Sequence, residues 1–510
     1  MKQTTANNWT LDSLLEDLSG ESLPPVSVSG VCLDSRLVRA GDAYLAVAGA
    51  TTHGMRFADA AVAAGAVAVV CSAQAMQLHD QVVGSLRESG IPVIGIEGLD
   101  RRCAEIASRF YGAPDEGMTV IAVTGTDGKT SVCRFITQAF TAIGQPCGYI
   151  GTLGWGMGDA LQSTELTTPD AVTLRRMLAV MKSQGASVVA LEASSHGLAE
   201  GRLDGLHLDV AVLTNLGRDH LDYHETLEAY RAAKAMLFSW PGLASRVVNS
   251  GDRFGQEMLA VPGDVRRYAY CSGAAVSSLG SDPGVDVVTI TAHDVICDDR
   301  GLHFTLQDAE ATASINTPLL GSFNVDNLLA CYASLRACGV AANQASHSLA
   351  AVAPVAGRME RFGRPGGATV VVDYSHTPQA LGAAIEASRV HCHGSLWVVF
   401  GCGGDRDPGK RAPMAAAAEA ADHVVLTDDN PRTERSEDII RDALQGFVNP
   451  SAVTVIGDRA RAIEYAITHA ARKDLVLIAG KGHEDYQVIG TTRHPFSDRA
   501  QVLSVLERAS

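Results

Sequence analysis

The sequence predicts an α/β protein of three domains, the second and third built on parallel sheets. Three observations carry that expectation. The chain has 510 residues, and domains commonly hold about 100–200. From residue 119 onward, short runs that are apolar on both faces alternate with helical stretches, the pattern of strands covered on both sides. Polar, glycine-bearing segments recur directly after those runs, where open parallel sheets bind their ligands.

Composition narrows the class. Apolar residues make up 46% and charged residues 19%, enough apolar material for several cores. A formal net charge of −16 argues against a basic nucleic-acid-binding face, so anionic ligands must be held by local groups. The 11 cysteines show no CxxC pairing and read as buried thiols in a reducing compartment. The N-terminus lacks a basic segment followed by an apolar one, so no signal peptide is expected. The longest apolar run, Ala60 to Cys71, is broken by Gly65 and falls short of the ~20 residues that span a bilayer. The expectation is a soluble cytoplasmic protein, with no membrane or nucleic-acid partner.

The first domain is expected over 1–100, with short strands at Val31–Leu33, Ala43–Val47 and Ala66–Val70 and a helix at Arg56–Ala64. The second, 101–354, opens on the strand Thr119–Thr124, followed by a glycine loop at 125–128 and a helix from Lys129 to Ile143. Further strand-like runs end at Glu192 and Asn215. The third, 355–510, follows the Pro- and Gly-containing stretch Ala353–Gly357. Its strands are expected to end near Asp373, Phe400, Thr427, Ile456 and Ala479, as in a doubly wound, Rossmann-like domain.

The loop Thr124-Gly125-Thr126-Asp127-Gly128-Lys129-Thr130 lies between a strand and a helix. Glycines let backbone N–H groups wrap a phosphate, and the helix N-terminus adds positive potential. Lys129 is placed to neutralise the β/γ-phosphates and Thr130 to ligate Mg²⁺, making the central sheet P-loop-type. The spacing departs from the usual motif, because Val123 stands where its first Gly belongs. Glu192 ends a neighbouring strand, where a carboxylate can ligate Mg²⁺, although a strand-end Glu alone is more often a cap. Asn215 and His220 follow the next strand and emerge on the same rim, with Arg218, Asp219 and Asp222 close by. Lys234, on a helical stretch, reads from pattern alone as a solvated lysine. In Gly321–Leu329, Asn324 suits a helix cap and Asn327 lies one turn in, where it can cap or bond an adenine edge.

The third domain places Asp373-Tyr374-Ser375-His376, Gly401–Asp407, Asp428-Asp429-Asn430-Pro431-Arg432 and Gly480–Tyr486 directly after strands. Turn chemistry explains their Gly, Asn, Asp and Pro content, but not Arg406, Arg432, Lys481 and Glu484 recurring on one rim. Arg suits bidentate carboxylate binding, while Asn430 and Glu484 can meet an ammonium, so an amino acid is the natural ligand.

Together these residues resemble the Mur ligase family, from Leu33-Asp34-Ser35-Arg36 to Gly480–Tyr486. The resemblance implies a UDP-binding domain, a central ATPase domain and a C-terminal domain that binds the incoming amino acid. It implies an ATP-dependent, ADP-forming amide ligase of cell-wall precursor synthesis, acting as a monomer. The expected reaction adds meso-diaminopimelate to UDP-N-acetylmuramoyl-L-alanyl-D-glutamate. Lys129, Glu192, His220 and Lys234 carry over as catalytic residues. Gly125, Thr126, Asp127, Gly128, Lys129, Thr130, Ser131, Asn327, Arg358 and Asp373 carry over as ATP contacts. Thr130, Glu192, His220 and Lys234 match the sites of two Mg²⁺ ions, with Lys234 carbamylated. Leu33, Ser35, Ala50, Thr51 and Thr52 match the uridine-side segment, and Thr167, Thr168, Ser194, Glu200 and Arg202 the muramoyl-peptide contacts. Arg406, Asp429, Asn430, Pro431, Arg432, Gly480 and Glu484 match the diaminopimelate site, and the D-N-P-R sequence is the family's mark for that amino acid over L-lysine. Glu200 stands where the family often has Gln, and His53 where it commonly has Asp.

The expected chemistry is attack of the D-glutamate carboxylate on the γ-phosphate, then attack of an amine on the acyl phosphate, with His376 a candidate base. ATP ligands from both sides of the linker imply domain closure. An L-lysine-adding relative, a folyl-polyglutamate-type ligase and a non-catalytic nucleotide module are the competing readings. Arg432 argues against the first, the D-N-P-R loop against the second, and the intact Lys129, Glu192, His220 and Lys234 set against the third.

Overall fold

The structure, a computed structural model, describes residues 9–49, 52–273, 286–364 and 366–508. It divides into two compact units, one of residues up to 248 with 252–268, the other of residues 249–251 with 269–510.

The first unit holds two large sheets and the short antiparallel pair Trp9–Thr10 with Ser27–Val28. Gly30–Cys32, Asp42–Ala46, Ala68–Ser72 and Val93–Ile96 form a parallel sheet in chain order. Alternate residues point to opposite sides of a strand. Leu45, Val70 and Ile94 therefore pack with Leu11, Leu99 and Ile106, while Tyr44, Val69 and Cys71 pack with Ala58, Ala61 and Val83. The helix expected over Arg56–Ala64 is two pieces, a 3₁₀ turn Gly54–Phe57 and an α-helix Ala58–Ala63. His53 tightens the entry, its Nδ1 accepting from Met55 N at 3.1 Å.

Six further strands run Ser245–Asn249, Val210–Leu213, Thr119–Thr124, Val188–Glu192, Cys147–Gly151 and Gly154–Met157 across the sheet. All pair in parallel but the last. Thr119–Thr124 is central, with Glu192 opposite Val123 on one side and Leu213 opposite Thr124 on the other. Those registers bring the glycine loop, Glu192 and the segment after Leu213 to one rim.

The second unit holds an antiparallel meander, Val287–Asp298, Gly301–Gln307 and Thr312–Thr317, then the helix Phe323–Ala337. Besides the hairpin Tyr486–Ile489 with Thr492–Pro495, the unit holds a six-stranded sheet of order Glu360–Phe362, Thr369–Asp373, Leu475–Ala479, Leu396–Phe400, His423–Leu426, Thr454–Val455, parallel after the first strand. One face packs Val371, Val398 and Leu477 against Leu381, Met414 and Ile439. The other packs Val370, Val399 and Ile478 against Ile463, Ala466 and Val502. Helices on both faces make it the doubly wound domain expected. All eleven cysteines are free thiols. Among the described residues no helix is long and apolar enough to cross a membrane.

Candidate active site

In the first unit the glycine loop is pinned by the end of the neighbouring strand. Asn215 accepts from Asp127 N through Oδ1 at 3.0 Å, and its backbone oxygen accepts from Thr126 N at 3.0 Å. Thr214 Oγ1 donates to Asp127 O at 2.5 Å. Gly125 has φ +150°, and a Cβ there would lie 1.8 Å from Thr214 Oγ1, so only glycine fits. Gly128, at φ +83°, turns the chain into the helix Lys129–Ala142, whose first turn holds buried Thr130 and Ser131. Lys129 Nζ folds back onto Gly125 O and Thr126 O, both at 2.9 Å. A cation over a helix N-terminus is a setting for a phosphate.

Glu192 is buried and accepts four hydrogen bonds. Oε1 takes the Tyr149 hydroxyl at 2.6 Å and Thr152 N at 3.0 Å; Oε2 takes Thr130 Oγ1 at 3.0 Å and Thr152 Oγ1 at 3.1 Å. Burial, with the carboxylate beside it, pushes the Tyr149 hydroxyl well above its ordinary pKa. The Thr130 hydroxyl and a Glu192 oxygen converge as two hard oxygen donors, the kind Mg²⁺ prefers. His220 sits at φ +54°, its Nε2 3.4 Å from Asp219 Oδ2 and its ring 4.8 Å from that of His196. Among the described residues, no three His, Cys, Asp or Glu side chains gather as a ready-made metal cage.

Lys234 differs most from its pattern reading. Its helix, Leu227–Ala235, is capped by Thr226, and the side chain is only 1% exposed. Its Nζ donates to Gly125 O at 2.7 Å and lies 4.6 Å from the Tyr230 ring centre. Two lysines thus share one carbonyl oxygen. Burial first, then the charge of Lys129, push the Lys234 pKa well below the ordinary lysine value. A neutral amine is the form that can take up CO₂ as a carbamate.

The expected muramoyl-peptide residues also gather. Thr168 Oγ1 donates to Glu192 O at 2.7 Å and meets Ser194 Oγ at 2.9 Å, while Arg202 Nη1 donates to Thr168 O at 2.7 Å. Thr167 Oγ1 is 3.1 Å from Thr152 Oγ1. Arg202 pairs with Glu200 at 2.6 Å, which offsets the charge that Glu200 brings in place of Gln. Ser35 opens a 3₁₀ turn beside Leu33 at the end of the strand Gly30–Cys32. Arg36 from that turn reaches Glu165 at 3.5 Å. Thr52 Oγ1 is buried with no hydrogen-bond partner among the described residues, and Ala50 and Thr51 lie outside them. His53 supplies the turn-capping acceptor that an Asp would give.

In the second unit, loops after three adjacent strands meet. Asn430 Nδ2 donates to Glu484 Oε2 at 3.2 Å. Lys481 Nζ reaches Glu484 Oε2 at 2.8 Å, Asn430 Oδ1 at 3.2 Å and Asp429 Oδ1 at 3.5 Å. Arg432, following Pro431 at φ +52°, donates through Nη1 to Gly404 O at 2.6 Å. A Cβ on Gly403 would lie 3.0 Å from Arg432 Nη1 and 3.8 Å from Arg406 Cγ, so both arginines flank that glycine. Gly480, at φ +118°, donates to Asp373 O at 3.1 Å and turns the chain toward Lys481. Asp373 accepts from Met359 N at 2.8 Å and Ser375 N at 2.9 Å, and Arg358 lies over the Tyr374 ring at 4.4 Å. Asn324 is not a cap. Ser322 precedes the helix, Asn324 Nδ2 donates to Leu320 O at 2.7 Å, and its Oδ1 accepts from Asn327 Nδ2 at 2.8 Å.

Three family descriptions match successive segments: the Mur ligase catalytic domain at residues 27–111, the Mur ligase middle domain at 123–335, and the Mur ligase glutamate ligase domain at 357–482. The UDP-N-acetylmuramoyl-L-alanyl-D-glutamate–2,6-diaminopimelate ligase of Xanthomonas campestris pv. campestris is 45% identical over 487 residues, 94% of each chain. The chain belongs to the Mur ligase family. The Pseudomonas aeruginosa protein of the same name is 44% identical over 92% of this chain and 93% of its own. A solved structure of a ligase so named is 34% identical, with a TM-score of 0.66, covering 98% of this chain and 99% of that one. As a Mur ligase the chain is an ATP-dependent amide ligase.

Within this Mur ligase, several contributing residues escaped the sequence reading. Tyr149 and Thr152 orient Glu192, and Tyr230 meets Thr126 Oγ1 at 3.0 Å; for Lys481, expected on the rim, it was the complete burial that was missed. Tyr230 and Lys234 are spaced i, i+4 on one buried helix face, a signal legible in principle.

Proposed function

We propose that this ligase joins meso-diaminopimelate to UDP-N-acetylmuramoyl-L-alanyl-D-glutamate in peptidoglycan precursor synthesis. The observation that carries the reading is the second unit's rim. Arg406 and Arg432 stand there beside Asp429, Asn430 and Glu484, groups suited to a ligand bearing both carboxylates and ammoniums. The near full-length likeness to ligases of that name supports it.

The glycine loop from Gly125 to Ser131 binds the ATP phosphates, and Lys129 neutralises charge as the D-glutamate γ-carboxylate attacks the γ-phosphate. The products are ADP and an acyl phosphate. A diaminopimelate amine then adds to the acyl carbon, and phosphate leaves as the amide forms. Thr130, Glu192, His220 and carbamylated Lys234 would hold two Mg²⁺ ions, which supply charge neutralisation between the reacting anions. The lowered pKa of Lys234, pushed down by burial and by Lys129, supports its carbamylation, since an amine that sheds its proton more readily attacks CO₂ more readily. Asn327, Arg358 and Asp373 contact the nucleotide. Leu33, Ser35, Ala50, Thr51 and Thr52 take the UDP side, and Thr167, Thr168, Ser194, Glu200 and Arg202 the muramoyl dipeptide. Residues 1–100, 101–354 and 355–510 serve as the UDP-substrate, ATP and amino-acid domains. The enzyme acts as a monomer in the cytoplasm, the compartment where nucleotide-linked substrates are made.

The test is phosphate release from ATP with the UDP-linked dipeptide, comparing meso-diaminopimelate with L-lysine. Turnover with diaminopimelate alone is expected. Equal turnover with L-lysine would overturn the assigned amino acid, and no release with either would remove the assigned acceptor pair.

A further inference from the structure

Lys481 is wholly buried, an unusual place for a lysine. Its ammonium has three protons, and three oxygens surround it: Glu484 Oε2 at 2.8 Å, Asn430 Oδ1 at 3.2 Å and Asp429 Oδ1 at 3.5 Å. The atom of Asn430 that meets Lys481 also meets Val488 N, at 2.9 Å. Both neighbours are donors only, so that atom must be the amide oxygen, and both of its lone pairs are taken. The NH₂ end therefore faces the other way. One of its protons goes to Glu484 Oε2 at 3.2 Å, which leaves the second for a ligand. Glu484 Oε2 is in turn occupied by Lys481 and Asn430, while Oε1 has no partner among the described residues.

We propose that Lys481 is a positioning residue of the amino-acid pocket, fixing Asn430 as a hydrogen-bond donor and Glu484 as an acceptor. This rests on the amino-acid-binding role given above to the second unit's rim. A donor and an anionic acceptor held side by side match the carboxylate and ammonium of one amino-acid head group. Asn430 then reads the carboxylate together with an arginine, and Glu484 alone reads the ammonium. The sequence reading had both facing the ammonium. Lys481 also offsets one of the two carboxylates, Asp429 and Glu484, leaving the other to face a ligand beside Arg406 and Arg432. Without Lys481 the Asn430 amide is free to turn over, and Asp429 and Glu484 stand together unscreened.

The experiment uses the full-length enzyme and the phosphate-release assay, with Lys481→Met and Asn430→Asp, and calorimetric binding of meso-diaminopimelate as a second readout. Asn430→Asp keeps the oxygen that meets Lys481 and Val488 and replaces the NH₂, both its outward N–H and the one that meets Glu484, with an oxygen at constant volume, and a cooperative thermal melt checks that it folds. Each variant is expected to raise KM for diaminopimelate by about 10- to 150-fold, the worth of a hydrogen bond to a charged group. KM for ATP and for the UDP-linked dipeptide stays at the wild-type value, as does kcat at saturating diaminopimelate. Absence of turnover in the wild type would strike at the proposed function, not at Lys481. With an active wild type, unchanged diaminopimelate affinity in Asn430→Asp overturns the inference, even if Lys481→Met fails to fold. So does a parallel rise in all three KM values, which marks a merely structural role, or a fall confined to kcat.

Discussion

Arg459 and Asp498 form an ion pair in which neither side chain is exposed, with Arg459 Nε and Nη2 each 2.7 Å from a carboxylate oxygen. Arg459 also donates to Ala479 O at 2.9 Å and to Asp428 O at 3.2 Å. It therefore ties the helix Arg459–His469 and the helix Asp498–Arg508 to the ends of two strands that bear the amino-acid loops. Replacing Asp498 with Asn removes the counter-charge and leaves the guanidinium buried. Breaking a buried pair from one side costs about 3–5 kcal/mol. At about 1.4 kcal/mol per tenfold, amides of the strand Leu475–Ala479 should then exchange roughly two to three and a half orders of magnitude faster. Hydrogen exchange read by mass spectrometry on that peptide is the assay. The paired replacement Arg459→Met with Asp498→Leu should restore most of the protection, because apolar residues of similar volume need no counter-charge. Exchange in Asp498→Asn within a few fold of wild type would refute the reasoning, and so would a double variant no better protected than the single.

Other expectations follow from the first unit and from His483. Lys129→Ala should lower phosphate release by on the order of 10²–10⁴, and near-normal turnover would disprove the phosphate cradle. Lys234→Met should abolish turnover yet stabilise the apo protein near neutral pH. The folded-state pKa of Lys234 lies below the ordinary 10.5, so the unfolded chain binds the proton better and the lysine destabilises the fold. That gain should shrink as pH rises toward 10.5, and a variant less stable than wild type in neutral thermal melts would contradict it. Burial, then Arg358 and Arg499, push His483 down from 6.5 to about 4. Its share of stability is full above pH 6.5 and is lost as pH falls toward about 4, by roughly 3 kcal/mol. His483→Gln should flatten the denaturation midpoint over that interval; an unaltered slope would sink the assignment.

The rims were legible because parallel strands announce themselves by being apolar on both faces, and the polar residue that ends such a run stands out. Gly125, Lys129, Glu192, Asp373, Asn430 and Gly480 were all found that way. Strand order was not legible. Leu475–Ala479 inserts between Thr369–Asp373 and Leu396–Phe400, a long-range pairing that no local pattern encodes. That insertion is what brings Glu484 to Asn430. The meander over Val287–Thr317 was legible but not read: Leu302, Phe304 and Leu306 alternate strictly with His303, Thr305 and Gln307. The burial of Lys234 and of Lys481 escaped for one shared reason. Pattern assigns charge to solvent, and only the three-dimensional neighbours, Gly125 O for one and three side-chain oxygens for the other, explain a buried ammonium. The place of Asn324 inside the helix was missed because Ser322 precedes it and ends the competition for the cap.

Arg432 holds a left-handed backbone, at φ +52°, that side-chain-bearing residues rarely adopt. It stays there because Val488 O accepts from its N–H at 3.0 Å and its own carbonyl accepts from Gly490 N at 2.8 Å. Glycine or asparagine would sit at that position with less strain. A lineage that no longer needed a guanidinium in this pocket would therefore drift toward those residues under selection for folding alone. The arginine acts as a gauge, and its persistence in a descendant would report that the choice of amino acid is still being enforced.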